Sequence, residues 1–221
     1  MKYGHVIHGR FHSRPNRFIA KVWIGEELET VHVKNTGRCK ELLVSDAEVV
    51  LEVSDNPDRK TKYDLICVYK ESLGWVNIDS QAPNKVVKEW LEKQDYTFIK
   101  PEYTYGDSRI DFYMEKEEQK YLMEVKGCTL AIDGIGYFPD APTERGVKHL
   151  TELTQAVQKG YECYAVFVIQ MEGINEVRAN TATHKEFGDA LERAKAAGVK
   201  VLCLGCKVTE DTLEVDREFE L

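Results

Sequence analysis

No stretch of the chain stays apolar long enough to cross a bilayer, and the opening residues MKYGHVIHGR lack the apolar core of a secretory signal. A membrane-embedded or exported protein is therefore not expected, and the cytoplasm is the expected compartment. Cysteine is sparse and scattered, at Cys39, Cys67, Cys128, Cys163, Cys203 and Cys206. A chain of 221 residues has no need of disulfide staples, so reduced thiols are expected. Cys203 and Cys206 form a CxxC pair, but no second pair or His-x-His cluster completes a tetrahedral zinc site, and both read as strand-end packing. Internal repeats and low-complexity tracts are missing too, which excludes repeat architectures. Acid is missing from Met1 to Gly25, a segment that holds Lys2, Arg10, Arg14, Arg17 and Lys21. Such a stretch can attract phosphate locally even on a chain of net charge −8, and an ordinary solvated basic arm is the competing reading. His5, His8 and His12 are too loosely spaced there for a metal site and read as part of an unstructured arm.

What is present describes an ordered protein in two parts. Hydrophobic residues make up 43% of the chain and aromatics 10%, enough apolar surface to offset chain entropy. The deficit of positive charge belongs entirely to residues 81–221, since residues 1–80 balance 12 basic against 12 acidic side chains. The first part reads as short strands at Phe18–Ile24, Leu28–Val33, Ala47–Val53 and Tyr63–Tyr69, with a turn signal at Asn35-Thr36-Gly37. Strands without a long helix suggest a small β-barrel. From Pro83 the period changes. A helix is expected over Asn84–Gln94, capped by Asn84, then strands at Phe98–Tyr105, Arg109–Met114 and Lys120–Lys126. A second helix over Thr143–Lys159 presents Val147, Leu150, Leu153 and Val157. A buried strand at Tyr164–Gln170, a third helix over Lys185–Ala197 and a strand at Val199–Leu204 complete the order. The fold class is mixed α/β (α+β), with a boundary near residues 78–84. Trp23, Trp75 and Trp90 read as core residues.

The chemistry concentrates on one hairpin. If Lys116-Glu117-Glu118-Gln119 is its turn, Asp111 stands opposite Glu124. Alternation then puts Ile110, Phe112 and Met114 on an apolar face against Val125, Met123 and Tyr121, and Asp111, Glu124 and Lys126 on the other face. Opposed carboxylates destabilise a sheet unless a cation joins them, and hard oxygen ligands suit Mg²⁺ or Mn²⁺. Lys126 would stand beside the metal, positioned to orient water and to offset charge on a phosphate. A solvated cluster in which Lys126 simply pairs with one acid is the competing reading. Glu102 on the preceding strand is a candidate additional carboxylate, and Gln170 is a polar tip on a buried strand. Arg145 and His149 lie one helical turn apart and could face a phosphate; Asp140 is either a turn residue or a ligand.

At these residues the chain resembles the PD-(D/E)xK nuclease superfamily and, more narrowly, the sugar fermentation stimulation protein A family. The matching stretches are Asn35-Thr36-Gly37-Arg38, Arg59-Lys60-Thr61-Lys62-Tyr63, Ser108-Arg109-Ile110-Asp111-Phe112, Glu124-Val125-Lys126-Gly127-Cys128-Thr129-Leu130 and Phe138-Pro139-Asp140-Ala141-Pro142-Thr143-Glu144-Arg145-Gly146, with Lys148-His149-Leu150 following. The resemblance implies an OB-like barrel over residues 1–80 and a restriction-endonuclease-like αβββαβ domain over residues 81–221. It implies DNA as partner, single-stranded or duplex left open, as is a homo-oligomer. Asp111 and Glu124 would be metal ligands with the Val125 carbonyl, Lys126 the catalytic lysine, and Glu102 and Gln170 accessory residues. Candidates for DNA contact are Arg10, Arg14, Arg17, Lys21, Arg38, Lys40, Arg59, Lys60, Lys62, Arg145 and His149. The chain departs from the family near the third helix, where His184-Lys185 replaces an Asp-Pro pair. The implied activity is Mg²⁺-dependent DNA hydrolysis; the alternative is a non-catalytic DNA-binding regulator linked to sugar metabolism. A sugar-metabolising enzyme finds no sugar-phosphate loop here.

Overall fold

A computed structural model describes residues 1–35 and 37–220, so Thr36 of the expected turn lies outside the described residues. Six strands build the first part: β1 (Val6–Asn16), β2 (Ile19–Ile24), β3 (Glu27–Val33), β4 (Glu48–Val53), β5 (Tyr63–Lys70) and β6 (Gly74–Asn77). They run in the order β3-β2-β1-β4-β5-β6, and parallel pairing of β3 with β5 closes the first five into a barrel. Alternation fills it. Ala20 and Val22 of β2 are fully buried inside, while Lys21 and Trp23 point outward. The expected N-terminal arm is instead β1, the longest barrel strand, because Val6, Ile7 and Phe11 recur often enough to hold a strand against β4. His8 and His12 lie on its outer surface, His8 between Glu48 and Glu210 and His12 against Trp23.

The second part opens with α1 (Ala82–Leu91), followed by β7 (Phe98–Tyr105), β8 (Ser108–Lys116), β9 (Gln119–Cys128), β10 (Leu130–Ile132) and β11 (Ile135–Phe138). Then come α2 (Glu144–Val157), β12 (Glu162–Ile169), β13 (Val177–Ala179), α3 (Lys185–Ala196), β14 (Lys200–Val208) and β15 (Leu213–Glu220). The main sheet has the order β15-β14-β12-β9-β8-β7, with β12 parallel to both β9 and β14. Helix α1 packs on one face through Val86, Val87 and Leu91; α2 and α3 cover the other through Leu150, Leu153, Phe187 and Leu191. Each such fully buried side chain contributes roughly 1.5–3 kcal/mol of transfer free energy. The expected apolar face of α2 needs one amendment, since Val147 and Val157 are only partly buried and His149 takes a place among the buried residues. Asn84 does not cap α1. The helix begins two residues earlier, with Pro83 in its first turn, and Asn84 turns inward to Asp111.

The chain crosses between the parts at Ile78–Gln81, but the parts are not independent. One continuous apolar cluster runs from Val22 and Leu51 of the barrel through Cys39 and Leu42 to Cys128 and Phe167 of the sheet. Residues 1–3 tie the two parts together: Tyr3 packs on Val50, Ile66 and Cys67 of the barrel, while its N–H donates to the Asp211 carbonyl (2.8 Å) and the Leu213 N–H donates to the Met1 carbonyl (3.0 Å). All six cysteines are buried and free, and burial pushes the Cys203 and Cys206 thiols up to about 12, as packing residues rather than thiolate ligands. Among the described residues no helix is long and apolar enough to cross a membrane.

Candidate functional site

The hairpin of β8 and β9 turns at Glu117, a residue with φ of 53°, and pairs Lys116 with Gln119 through to Phe112 with Met123. That is the register expected from the sequence. The alternation, however, breaks at Asp111. The β7–β8 ladder runs from Pro101–Phe112 to Tyr103–Ile110, leaving Glu102 and Asp111 out of it, with Glu102 in the left-handed region. Ile110 therefore joins Tyr113 and Leu122 under α2 instead of sharing a face with Phe112 and Met114, which lie under α1. Freed from the ladder, the Asp111 carboxylate takes the place of a backbone acceptor: Oδ2 accepts the Val125 N–H at 2.7 Å, and Oδ1 accepts from Asn84 Nδ2 at 2.8 Å.

Glu124 is 2% exposed, and its two oxygens are treated differently. Oε1 accepts from Lys126 Nζ at 2.5 Å and from His149 Nδ1, while Oε2 is buried with no hydrogen-bond partner. Burial and the Glu124 charge raise the Asp111 carboxyl above the ordinary carboxylate range. Burial alone would raise Glu124 too, but the His149 hydrogen bond and the Lys126 charge outweigh it and leave Glu124 lowered. An orphaned buried carboxylate oxygen beside a second acid fits a hard cation in chemistry and charge. Among the described residues no group of three or more His, Cys, Asp or Glu side chains is arranged to hold a metal, so a cation here would take its remaining ligands from backbone, water or phosphate.

The accessory residues lie elsewhere. Glu102 is exposed and stands 3.7 Å from Arg109, because the left-handed backbone turns it outward. Gln170 is 1% exposed, but its Nε2 donates to Asn77 Oδ1 (2.8 Å) and the Asp79 carbonyl (3.0 Å), joining sheet to linker. Gly127 makes that possible, since a Cβ there would fall 2.2 Å from Gln170 Oε1 and 2.9 Å from Pro83 Cγ.

Beyond Lys126 the strand runs into a cleft of about 740 Å³ between barrel and sheet. Its walls are Asn35, Gly37, Arg38 and Lys40 on the barrel side and residues 137–143 on the other, overlapping two of the segments that carry the sequence resemblance. Asp140 joins them: Oδ2 accepts the Arg38 N–H at 2.9 Å, and a Cβ at Gly37 would lie 2.4 Å from that same oxygen. Asp140 is thus a fastening between the parts. Arg17, Arg38 and Lys40 line the cleft as exposed cations whose side chains make no ion pair among the described residues. Several other basic candidates are spent structurally. Arg14 donates to the carbonyls of Arg17, Asn35, Gly37 and Arg38, Arg59 forks onto Asp64 at 2.6 and 2.9 Å, and Lys21 bonds Thr30. Arg10 reaches the Asp46 carbonyl, and Lys62 lies over the Tyr63 ring. Arg10, Lys21, Arg59, Lys60 and Lys62 are not in the cleft. Arg145 Nε donates to His149 Nε2 at 3.3 Å, so His149 faces the carboxylate rather than solvent. His184 occupies the N-cap position of α3 without a side-chain capping bond and lies near Glu144 and Glu186, with no acid in its place.

A closed five-stranded barrel fused to a three-layer sheet with a carboxylate pair at its centre defines a two-domain protein of OB plus restriction-endonuclease type. Comparison agrees: the SfsA N-terminal OB domain matches residues 13–78, and the sugar fermentation stimulation protein RE domain matches residues 81–212. The chain belongs to the sugar fermentation stimulation protein (SfsA) family. A sugar fermentation stimulation protein homolog from Desulfitobacterium hafniense strain Y51 is 56% identical, over 97% of this chain and 95% of that one. The homolog from Clostridium beijerinckii is 52% identical over 97% and 96%, and that from Ruminiclostridium cellulolyticum 50% over 100% and 99%. A solved structure of Pyrococcus furiosus SfsA in complex with Ca²⁺ shares the fold with a TM-score of 0.88 and 24% identity, covering 100% of this chain and 97% of that one.

Proposed function

We propose that the protein is a DNA-binding, divalent-metal-dependent phosphodiesterase. The observation that carries this reading is the unpartnered, buried Glu124 Oε2 beside Asp111, with Lys126 held on the opposite oxygen. Asp111 and Glu124, with a backbone carbonyl such as that of Val125, would hold Mg²⁺ or Mn²⁺, which when bound supplies Lewis-acid polarisation of a phosphate. The ammonium of Lys126 offsets negative charge that develops on the phosphoryl oxygens and hydrogen-bonds the incoming water. Arg17, Arg38 and Lys40 hold the flanking backbone by charge, giving affinity without base readout. The similar Pyrococcus furiosus structure is a Ca²⁺ complex, which makes Ca²⁺ a suitable binding probe.

A second reading, a non-catalytic DNA binder, is favoured by one observation: Lys126 is closed onto Glu124 at 2.5 Å, as in a structural ion pair. The test offers single-stranded, duplex and branched DNA with Mg²⁺ or Mn²⁺. Cleavage that Lys126→Ala abolishes, with DNA affinity intact, is the expected result. Binding of every form with no metal-dependent cutting selects the second reading.

A further inference from the structure

We propose that Arg145 and His149 form a positioning relay that fixes the Glu124 carboxylate with one oxygen held and the other presented to a cation; the inference rests on the metal reading above. His149 lies on the buried face of α2, 3% exposed, and both of its ring nitrogens are engaged. Arg145 stands one turn earlier, and its Nε donates to His149 Nε2 at 3.3 Å. A guanidinium has only donors, so Nε2 is an acceptor and the ring carries its proton on Nδ1. That proton points at Glu124 Oε1, the oxygen already taken by Lys126.

The geometry has a consequence for the carboxylate. With two donors converging on Oε1, rotation of the carboxylate plane would break both bonds, and Oε2 is held where no protein donor reaches it. Without His149, the carboxylate is free to turn both oxygens to Lys126 and close the ion pair. Arg145 acts one bond further out, because its loss lets the imidazole adopt the other tautomer, which turns a lone pair toward Glu124. The relay is thus the outer support of a ligand, in the way that hydrogen-bond partners of metal ligands commonly are. It also explains why Arg145 is exposed yet directed inward along its own helix.

The test uses the full chain and Mn²⁺ as probe, by calorimetric titration without DNA. His149→Ala is expected to weaken Mn²⁺ binding about 10- to 100-fold, the usual effect of losing an outer-shell partner. His149→Asn, whose amide nitrogen approximates the Nδ1 position, is expected to restore most of the affinity, a rescue that simple loss of packing does not give. Arg145→Met should weaken binding by a few-fold. Long-range ¹H–¹⁵N spectra of labelled histidine supply the second readout: the unaltered protein shows His149 protonated at Nδ1, and Arg145→Met shows a mixture. His149→Ala binding Mn²⁺ as tightly as the unaltered chain, or a proton on Nε2, overturns the relay. Failure of the unaltered chain to bind Mn²⁺ at all overturns the metal reading beneath it. Binding without DNA cleavage leaves the relay intact and removes only the phosphodiesterase.

Discussion

Asp64 and Asp79 on the barrel side, and Asp111 and Glu124 on the sheet, are carboxylates largely withdrawn from water, yet their surroundings differ in kind. Asp64 accepts a fork from Arg59 and a bond from His32 at 2.9 Å, with Lys34 at 3.6 Å. Asp79, fully buried, has Lys34 Nζ at 3.0 Å and the Tyr3 hydroxyl at 3.2 Å on one oxygen, and the Gln81 N–H at 2.8 Å on the other. Every oxygen of that pair is satisfied. Burial opposes the Asp64 carboxylate, but Arg59, His32 and Lys34 more than compensate and bring it down to about 2. On the sheet the balance is left short: Asp111 is raised, and one oxygen of Glu124 has no donor. A fold that can saturate one buried cluster and leaves another open spends stability at the second, which is where a ligand is expected to complete it.

Breaking the saturated cluster should have the largest effect. Asp64→Ala leaves Arg59 and His32 without the carboxylate they share and should cost about 3 kcal/mol in urea unfolding, in the range for a broken buried pair. The pH dependence sharpens the point. A carboxylate ordinarily at 3.8 and held at about 2 contributes stability that is complete above its unfolded value and is lost as pH falls through the folded one. By linkage that contribution is about 2 kcal/mol, so the acid limb of the stability profile between about pH 4 and pH 2 should flatten in Asp64→Ala. An unchanged acid limb would show that the network does not hold Asp64 ionised.

The open cluster should respond in the opposite sense. Asp111→Asn removes a charge that burial and Glu124 disfavour, and the amide can still accept the Val125 N–H and, with Asn84 flipped, donate to it. Stability at neutral pH should rise by roughly 1 kcal/mol, as substitutions at functional sites often do. The sign follows from the raised folded value: the cost of Asp111 is absent where it is protonated in both states, grows as pH rises past the unfolded value, and is complete above the folded one. The gain should therefore vanish in acid. A loss of stability at neutral pH would instead place Asp111 in a saturated, structural role.

Much of this contrast could be read from the sequence, but not all of it. The hairpin register was legible, because a polar Lys-Glu-Glu-Gln turn between two apolar alternations admits one pairing. The three helices were legible from apolar residues at helical spacing, and most strands from short β-branched and aromatic runs bounded by turn residues. Unreadable was the interruption at Asp111, which arises from two residues leaving the β7–β8 ladder together, one of them Glu102 with a left-handed backbone that no motif announces. The fate of the basic residues was equally hidden. Arg14 and Arg59 look like Arg17 and Arg38 in sequence; what separates them is whether nearby carbonyls or Asp64 take up the guanidinium. His149 has a three-residue spacing from Gly146 and a four-residue spacing from Leu153 that place it inside; the expected face ran through Val147 and Val157 as well as Leu150 and Leu153, which centres it away from His149.

The smallest expected effect is also the most discriminating. A cation that binds the folded state alone stabilises it by mass action, about 0.4 kcal/mol at a concentration equal to its dissociation constant, or about a degree in melting temperature for a chain of this size. Mg²⁺ should therefore raise the melting temperature of the unaltered protein and, by a similar increment, that of Asp64→Ala, whose sheet cluster is intact. It should leave Asp111→Asn where it is, because the second carboxylate that would share the ion with Glu124 is gone. The two substitutions thus exchange roles: one is unstable and metal-responsive, the other stable and indifferent. Equal responses in both would mean that Mg²⁺ acts at some other surface, and the unpartnered oxygen of Glu124 would then be a defect of packing rather than half of a ligand set.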